Sequence, residues 1–391
     1  MSIQLLKFGG TSLGDVELIK NAAKIVSEYI SRSKKVVVVV SAMSGMTNRI
    51  LNLCREISQN DIVEKGLEYD AALSTGESLS ASLFALALQD MGINARSIQG
   101  WQVVVRSTNI PNSALITNVE TKLITDLIKE NIVPVVTGFQ ALSGENRVTT
   151  IGRGGSDTSA AAIAAALDAE SCDIYTDVEG IYTCDPRLID NAKIIEKISF
   201  EEILELSSGG AKVLHPRSIE ICMRYNIPLR LFSSFTKKSG TVIMKNINEI
   251  KKISGIAYLK DMHIVRIKKS FYYTDLIKDL ASSGISIYQV LRFNSDEISV
   301  ICKLDIINSL RKFLEQRRIF FDETPNISSI TIVGSGIMNN LELVASIINL
   351  LEENHANIID IINSEIKITI ILQAANTEKL VQLLHKDLLE S

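Results

Sequence analysis

The sequence predicts a layered α/β domain over residues 1–245, followed by two smaller α+β units. Short apolar strands alternate with helical segments up to about residue 245, as in a sheet covered by helices. Five consecutive valines at positions 36–40 are typical of a parallel strand that is buried on both faces. Beyond that domain, glycine-rich loops become scarce, and the order strand, helix, strand, strand, helix occurs twice.

Local patterns predict the elements of the first domain. We predict a strand over residues 4–8 and a helix that runs from Asp15, a suitable N-cap, to about residue 31. A second helix is predicted over residues 78–91, directly after the sequence TGE. The remaining predicted strands cover residues 132–137, 173–176 and 229–232.

The two α+β units are predicted to span residues 253–322 and 326–391. In the first unit, the predicted strands are HIVRI, ISIYQVL and EISVICK, with helices near residues 273–282 and 306–315. In the second, they are SSITIVGSG, ANIIDII and EIKITIIL, with helices near residues 340–352 and 377–389. A split β-α-β unit of this kind is a common regulatory module for small ligands.

Composition excludes several classes of function. The length of 391 residues favours two or three domains, and the net charge of −4 indicates no general affinity for nucleic acid. No apolar run approaches the length of about 18 residues that a membrane span needs, and the first residues lack the layout of a signal peptide. Five cysteines without C-x-x-C spacing indicate reduced thiols in a cytoplasmic protein and no zinc site.

Two glycine-rich segments at predicted strand ends carry candidate chemistry. KFGGTSLG, which begins at Lys7, combines a lysine with adjacent glycines whose backbone N–H groups can turn toward a phosphate; the alternative is a tight turn with a surface lysine. TTIGRGGSD places Arg153 among glycines at a predicted helix start, where it can grip a carboxylate or phosphate. Asp157 either belongs to this site or only caps the helix.

Three further segments complete the set. Thr176 and Asp177 follow a strand in DIYTDVEGIYTCDPR, and the nearby Tyr182 either packs on an aromatic base or fills the core. Lys212, in SSGGAKVLHPRS, is either a second phosphate lysine or a solvated helix lysine. Glu77 follows a Thr-Gly pair at a helix start, where a carboxylate can also serve only as a favourable first-turn charge. Together the charged groups suit phosphoryl transfer from a nucleotide, which relies on positioning and charge neutralisation.

The motifs KFGGTSLG, SAMSGMTN, TGE, GRGGSDTSA, TDVEGIYTCDPR and GAKVLHPRS occur in the order found in aspartate kinases, which the chain resembles over essentially its whole length. The C-terminal repeat resembles the tandem ACT domains of that family. The resemblance implies an α/β/α sandwich of the amino-acid kinase type, followed by two α+β ACT (ferredoxin-like) domains. It also implies phosphorylation of the L-aspartate side chain by MgATP to 4-phospho-L-aspartate, the entry to lysine, threonine and methionine biosynthesis.

The resemblance also implies roles for individual residues. The expected catalytic residues are Lys7, Asp157 and Lys212, with Asp157 orienting Lys7 or a metal-bound water. The expected substrate-binding residues are Ser41, Thr47, Glu77, Arg153, Gly154, Gly155 and Ser156. Among these, Glu77 would meet the substrate ammonium and Arg153 the α-carboxylate. The expected ATP-binding residues are Lys7, Phe8, Gly9, Gly10, Thr176, Asp177, Tyr182, Arg187, Lys212 and Val213.

The first ACT-like unit departs from the family's pattern. Its turn, KKSFYYTDL, lacks the usual proline and glycine, and Tyr288 and Arg292 stand where polar residues of the effector pocket would align. We therefore expect feedback inhibition through this unit to be weak or lost, with lysine favoured over threonine as the effector. The alternative is a pocket that has drifted and still binds. A homodimer or larger assembly through the ACT domains is also implied.

Two other functions stay open. A kinase for another acidic amino acid is disfavoured because Glu77 and Arg153 lie in the aspartate-type motifs. A catalytically inactive amino-acid sensor is disfavoured because Lys7, Arg153 and Asp157 are all present.

Overall fold

The computed structural model describes residues 2–58, 66–103, 105–211, 213–236, 240–245, 253–268, 273–293, 297–337 and 340–390. The chain divides into two compact units. The first consists of Met1–Tyr182, Ile194–Ser207 and Lys212–Asn248. The second consists of Thr183–Lys193, Ser208–Ala211 and Glu249–Ser391.

The strands of the first unit are short and mostly apolar. In chain order they are β1 (Ile3–Phe8), β2 (Lys35–Val40), β3 (Ala95–Ile98), β4 (Val105–Ser107), β5 (Ile116–Val119), β6 (Val133–Thr137), β7 (Gln140–Leu142), β8 (Val148–Thr150), β9 (Ser171–Thr176), β10 (Lys197–Ser199), β11 (Leu229–Ser233) and β12 (Thr241–Met244). All the strands predicted for this unit are confirmed, with ends that differ by one or two residues.

The helices of this part of the chain are α1 (Val16–Ser31), α2 (Met46–Ile57), α3 (Leu67–Leu73), α4 (Thr75–Asp90), α5 (Lys122–Lys129), α6 (Gly155–Ala166), α7 (Phe200–Gly209) and α8 (Pro216–Tyr225). Asp15 caps α1 as predicted, because its carboxylate accepts a hydrogen bond of 2.9 Å from the Leu18 N–H. The prediction for α4 was wrong at its start. Ser74 keeps a helical backbone between α3 and α4, so the TGE sequence forms the first turn of α4.

Eight of the described strands form the central sheet, in the order β10-β12-β11-β9-β1-β2-β6-β3. Its neighbouring strands are parallel, apart from β11 and β12, which are antiparallel. Four other described strands form a smaller sheet in the order β5-β4-β7-β8. Because parallel strands end at the same edge of a sheet, the loops after β1, β2, β6 and β9 meet at one edge.

Helices cover both faces of the central sheet. On one face, α1 and α4 enclose a core that includes Leu6, Phe8 and Phe84. Leu5 and Val37 point to the opposite face by the alternation of a strand, and they are also fully buried. The alanine-rich α6 packs beside β1 and β9. These layers form the predicted α/β/α sandwich.

The stretch from Leu67 to Asp90, which contains α3 and α4, is long and apolar enough by composition to cross a membrane, with a hydropathy of 1.3. Half of the most apolar part of this stretch is buried within the protein. A core helix of a globular domain has the same length and composition, and Phe84 and Leu88 of α4 lie in the core described above.

The second unit contains the predicted repeat of strand, helix, strand, strand, helix. Its strands are β13 (Gly255–Lys268), β14 (Gln289–Phe293), β15 (Glu297–Lys303), β16 (Phe321–Val333), β17 (Ile358–Asn363) and β18 (Lys367–Gln373). Its helices are α9 (Tyr273–Ser282), α10 (Leu304–Gln316), α11 (Leu341–Glu353) and α12 (Thr377–Leu389). The described strands form one antiparallel sheet in the order β14-β15-β13-β16-β18-β17.

The long strand β13 serves both halves of this sheet. Its pairing with β16 shifts register between Leu259 and Met262. Before the shift, Ile256 packs in the core with α11 and α12, whereas Val265 and Ile267 after it pack in the core with α9 and α10. The boundaries proposed from the sequence, 253–322 and 326–391, stay a prediction.

Candidate active site

A cavity of about 710 Å³ lies at the carboxyl edge of the central sheet in the first unit. It brings together most of the residues that the sequence singled out. The predicted site residues that line it are Lys7, Gly9, Gly10, Ser41, Thr47, Glu77, Arg153, Gly154, Gly155, Ser156, Asp157 and Thr176.

Lys7 and Asp157 form an ion pair in this cavity. Lys7 lies near the end of β1, between the parallel strands β2 and β9, and Asp157 lies in the first turn of α6. The Lys7 Nζ and Asp157 Oδ1 atoms are 2.5 Å apart. Asp157 does not cap the helix, because α6 begins at Gly155 and its N-cap is Gly154. The pair places a lysine charge beside the positive end of a helix, where an anion is stabilised.

The turn after β1 is held by its own backbone. The Gly9 N–H donates a hydrogen bond of 2.9 Å to the Tyr175 carbonyl, so this donor serves the turn and does not face the cavity. Gly10 is needed for close approach, since a Cβ atom there would lie 2.8 Å from the Ala42 carbonyl oxygen. The glycine turn was predicted to be open to phosphate, whereas these two glycines serve partly in packing.

Glu77 is a buried carboxylate with one oxygen unused. It lies in the first turn of α4 and is 4% exposed. Its Oε1 accepts a hydrogen bond of 3.1 Å from the Ala42 N–H, and its Oε2 has no hydrogen-bond partner among the described residues. Burial raises the pKa of Glu77 to about 7, although the Ala42 N–H opposes this shift. Such a group favours a cationic partner.

Arg153 lies on a short loop between β8 and α6. Gly152 has φ of +83° and would bring a Cβ atom to 2.6 Å from the Asn112 carbonyl oxygen, so only glycine fits there. Arg153 is exposed toward the cavity, and its guanidinium has no ion-pair partner within the described ranges. The arrangement leaves it available to a carboxylate or phosphate.

Four residues predicted to bind ATP do not line the cavity. The Phe8 side chain is fully buried and stacks on Tyr175, with ring centroids 5.0 Å apart. Asp177 accepts a hydrogen bond from the Thr176 hydroxyl at 3.0 Å, and the Tyr182 hydroxyl lies 3.3 Å from Glu179. Val213 is half-buried. Their roles toward a nucleotide stay predictions.

Two further predicted residues need separate mention. Arg187 belongs to the segment 183–193 of the second unit, and its guanidinium binds the Asp185 carboxylate, with Nη2 and Oδ2 2.7 Å apart. Lys212 lies outside the described residues.

Sequence reasoning missed part of the cavity wall. Tyr69, Asn112 and Thr150 line it. Thr150 stands in the quoted motif TTIGRGGSD, so its place beside Arg153 could have been noted. Tyr69 and Asn112 lie in segments without a recognisable motif, and only the fold brings them to the cavity.

Comparisons with known proteins agree with this geometry. Residues 2–233 match the model of the amino acid kinase family, and residues 330–388 match the ACT domain. The aspartokinase of Rickettsia felis is 40% identical over 392 residues, covering 97% of this chain and 98% of that protein. The aspartokinase of Geobacillus stearothermophilus is 35% identical, covering 99% and 97%.

A solved structure shows the same fold. Aspartokinase III of E. coli, crystallised with aspartate and ADP in the R-state, superposes with a TM-score of 0.82 at 23% identity, over 99% of both chains. The chain therefore belongs to the amino acid kinase family. Within that family, its full-length similarity places it among the aspartokinases.

Proposed function

We propose that this chain transfers the γ-phosphoryl group of ATP to the side-chain carboxylate of L-aspartate, forming 4-phospho-L-aspartate and ADP. The proposal rests mainly on one observation. One cavity at the carboxyl edge of the mostly parallel central sheet is lined by the buried carboxylate of Glu77, the exposed guanidinium of Arg153 and the ammonium of Lys7. The names of the full-length relatives support the same reaction.

The substrate end of the cavity matches the two α-substituents of aspartate. Glu77 would receive the ammonium group on its unused Oε2, and the bound cation would favour the ionised form of the carboxylate. Arg153 would hold the α-carboxylate through two parallel hydrogen bonds. The other predicted substrate-binding residues, Ser41, Thr47, Gly154, Gly155 and Ser156, also line this cavity.

The reaction needs no general base. The β-carboxylate is already ionised at neutral pH, since its ordinary pKa is about 3.9. One of its oxygens forms a bond to the γ-phosphorus, and the bond from that phosphorus to the β,γ-bridging oxygen breaks as ADP leaves. The barrier comes from two anions approaching each other. Lys7 and the N-terminus of α6 would offset that repulsion, most strongly in the transition state.

Mg²⁺ fits the residues present. Proteins usually bind it through one or two carboxylates together with the substrate phosphates and water. No cluster of three or more potential ligands occurs among the described residues. Of the two carboxylates on the cavity wall, Glu77 is assigned to the substrate ammonium, which leaves Asp157 for the metal ion. Asp157 would hold the ion with the nucleotide, and the ion would supply charge neutralisation at the phosphates.

The first experiment is aspartyl-hydroxamate formation from ATP, Mg²⁺ and aspartate, with glutamate as the matched alternative substrate. We expect turnover with aspartate and little with glutamate. Equal turnover of both would favour a kinase for acidic amino acids in general. No turnover, with amino-acid binding still measurable by calorimetry, would favour the inactive sensor.

Regulation through the first ACT-like unit is proposed to be weak, with lysine a better effector than threonine. Tyr288 supports this: it packs against a buried apolar cluster that includes Met262 and Ile264, and the Lys303 ammonium lies 5.4 Å from its ring centroid. A ring placed there offers a small amino acid less polar contact than the usual residues. Titrating lysine and threonine in the hydroxamate assay tests the proposal, and tighter inhibition by threonine than by lysine would refute it.

The remaining proposals concern the setting of the enzyme. We place it in the cytoplasm, in the entry step to lysine, threonine and methionine synthesis, and expect a homodimer or larger assembly. The terminal strands β14 and β17 of the second unit's sheet support pairing between copies, because Val290 and Ile359 on them are exposed apolar residues. Sedimentation at several protein concentrations would test the assembly.

A further inference from the structure

We propose that Asp70 and Arg217, neither of which contacts the proposed reacting groups, position Arg153 by clamping the loop that carries it, and so set the affinity for the α-carboxylate of aspartate. This inference rests on the proposed function and deepens it.

Asp70 joins two separate segments of the cavity wall. It lies in α3 and is fully buried. Its two oxygens accept hydrogen bonds from the Thr150 N–H at 2.7 Å and the Thr150 hydroxyl at 2.9 Å. Both oxygens also lie 3.1 Å from the Asn112 N–H. The carboxylate therefore ties the end of β8 to the segment 112–114.

Arg217 joins the same two segments by their carbonyl groups. It lies in the first turn of α8, within the HPRS sequence. Its Nη1 donates 2.7 Å to the Ile151 carbonyl, and its Nη2 donates 3.0 Å to the Ala114 carbonyl. A lysine could not span both acceptors in this planar arrangement.

These bonds complete the anchoring of the loop just before Arg153. The Thr150 carbonyl accepts from the Ala114 N–H at 3.1 Å, and the Ile151 N–H donates to the Phe139 carbonyl at 3.0 Å. All four backbone polar groups of Thr150 and Ile151 thus bind partners that are distant in sequence. Arg153 follows two residues after Ile151, so these contacts fix the backbone that leads into it.

A purely structural role for Asp70 would be energetically unfavourable, because its carboxylate is charged and buried. No cation pairs with this buried carboxylate in the described part of the chain, and four hydrogen bonds alone compensate its loss of hydration. Apolar side chains usually fill such a site at lower cost. Asp70 would, by contrast, directly help to hold Arg153 in its binding position, and small misplacements of a binding group can cost about 100-fold in rate.

The test compares Asp70→Asn, Arg217→Lys and Thr150→Val with the wild-type protein, and uses Asp126→Asn as a matched control. Asp126 is a partly exposed carboxylate on α5 that binds Lys122 and Lys129, and it does not line the cavity. We expect Asp70→Asn and Arg217→Lys to raise the KM for aspartate about 10-fold or more. The KM for ATP should change less than about 2-fold, because the phosphate groups meet other elements. Asp126→Asn should match the wild type.

Thr150 provides variants that keep the test valid if Asp70→Asn fails to fold. Thr150→Val removes one hydrogen bond to Asp70 and should raise the KM for aspartate about 5-fold, whereas Thr150→Ser retains both donors and should restore it. Inhibition by 3-aminopropanoate, which is aspartate without its α-carboxylate, should be unchanged in each variant, because this compound offers no carboxylate for Arg153 to bind.

The outcomes separate the two proposals. A wild-type protein that forms no aspartyl hydroxamate would refute the proposed function itself. Variants that lose thermal stability but keep the wild-type KM for aspartate would overturn the clamp, and so would variants in which the KM values for aspartate and ATP rise together.

Discussion

Glu77→Gln should make the protein without substrate more stable at high pH while abolishing its affinity for aspartate. The substitution keeps the size and one acceptor of the side chain and removes its charge. Glu77 is 4% exposed, and one of its carboxylate oxygens has no hydrogen-bond partner among the described residues. The ionised side chain is therefore a cost to the folded state until a cation binds.

The magnitude follows from the pKa. Burial raises the pKa of Glu77 from 4.5 to about 7, so the folded protein binds this proton more tightly than the unfolded chain does. Stability must then fall as the pH rises between these two values, and the full cost is present above about pH 7. At about 1.4 kcal/mol for each pH unit, the cost is roughly 3 kcal/mol. Glutamine carries no charge, so the variant does not incur this loss of stability.

The assay is urea unfolding of both proteins at about pH 5 and pH 8, without substrate. We expect the stability advantage of the Glu77→Gln variant to grow by about 2–3 kcal/mol between these pH values. Aspartate should then stabilise the wild type and not the variant. A stability difference between the two proteins that is the same at both pH values would refute the reasoning, because it would show that Glu77 titrates alike in the folded and unfolded states.

Four further predictions follow from the same contacts. In the wild type, kcat/KM for aspartate should fall as the pH drops below about 7, because Glu77 takes up a proton; a flat pH profile would contradict this. Lys7→Met should lower kcat by about 10²–10³ in steady-state assays with little change in the KM for aspartate, since it removes a charge expected to act in the transition state. Gly10→Ala should reduce activity about 10-fold or more because its Cβ atom would meet the Ala42 carbonyl, whereas Gly144→Ala serves as a surface control, because the added Cβ atom there would lie 3.7 Å from the Asn109 side-chain oxygen. Arg230→Met should destabilise the fold by about 3–5 kcal/mol in urea unfolding at pH 7, because it leaves the fully buried Asp173 without its ion-pair partner; a loss below about 1 kcal/mol would show that the hydroxyls of Tyr29 and Ser171 suffice.

Local patterns were sufficient for much of the fold. The valine run at 36–40 predicted a strand buried on both faces, and Asp15 predicted the start of α1, because both signals depend only on neighbours in sequence. The start of α4 was misjudged, since the backbone at Ser74 continues a helix where the Thr-Gly pair suggested a turn. The order of strands in the sheet could not be derived from such patterns, because pairing joins segments that are far apart in the chain.

The candidate site shows the same division. The motifs named Lys7, Glu77, Arg153 and Asp157 as chemically competent residues, because charged groups beside glycines at strand ends are unusual enough to stand out. The motifs did not show that one oxygen of Glu77 would be left without a partner, or that the Gly9 N–H would be used by Tyr175. Both facts depend on which segments the fold brings into contact.

What the sequence determined by itself is therefore the kind of elements, the repeated C-terminal unit and the set of groups that can handle phosphate and an amino acid. The tertiary structure alone decided which of these groups share a cavity and how each is held. Asp70 and Arg217 make the difference plain, since each bridges two segments that lie at least 36 residues apart in the chain. Periodicity and turn signals act over a few residues, whereas such contacts form only when the whole domain has folded.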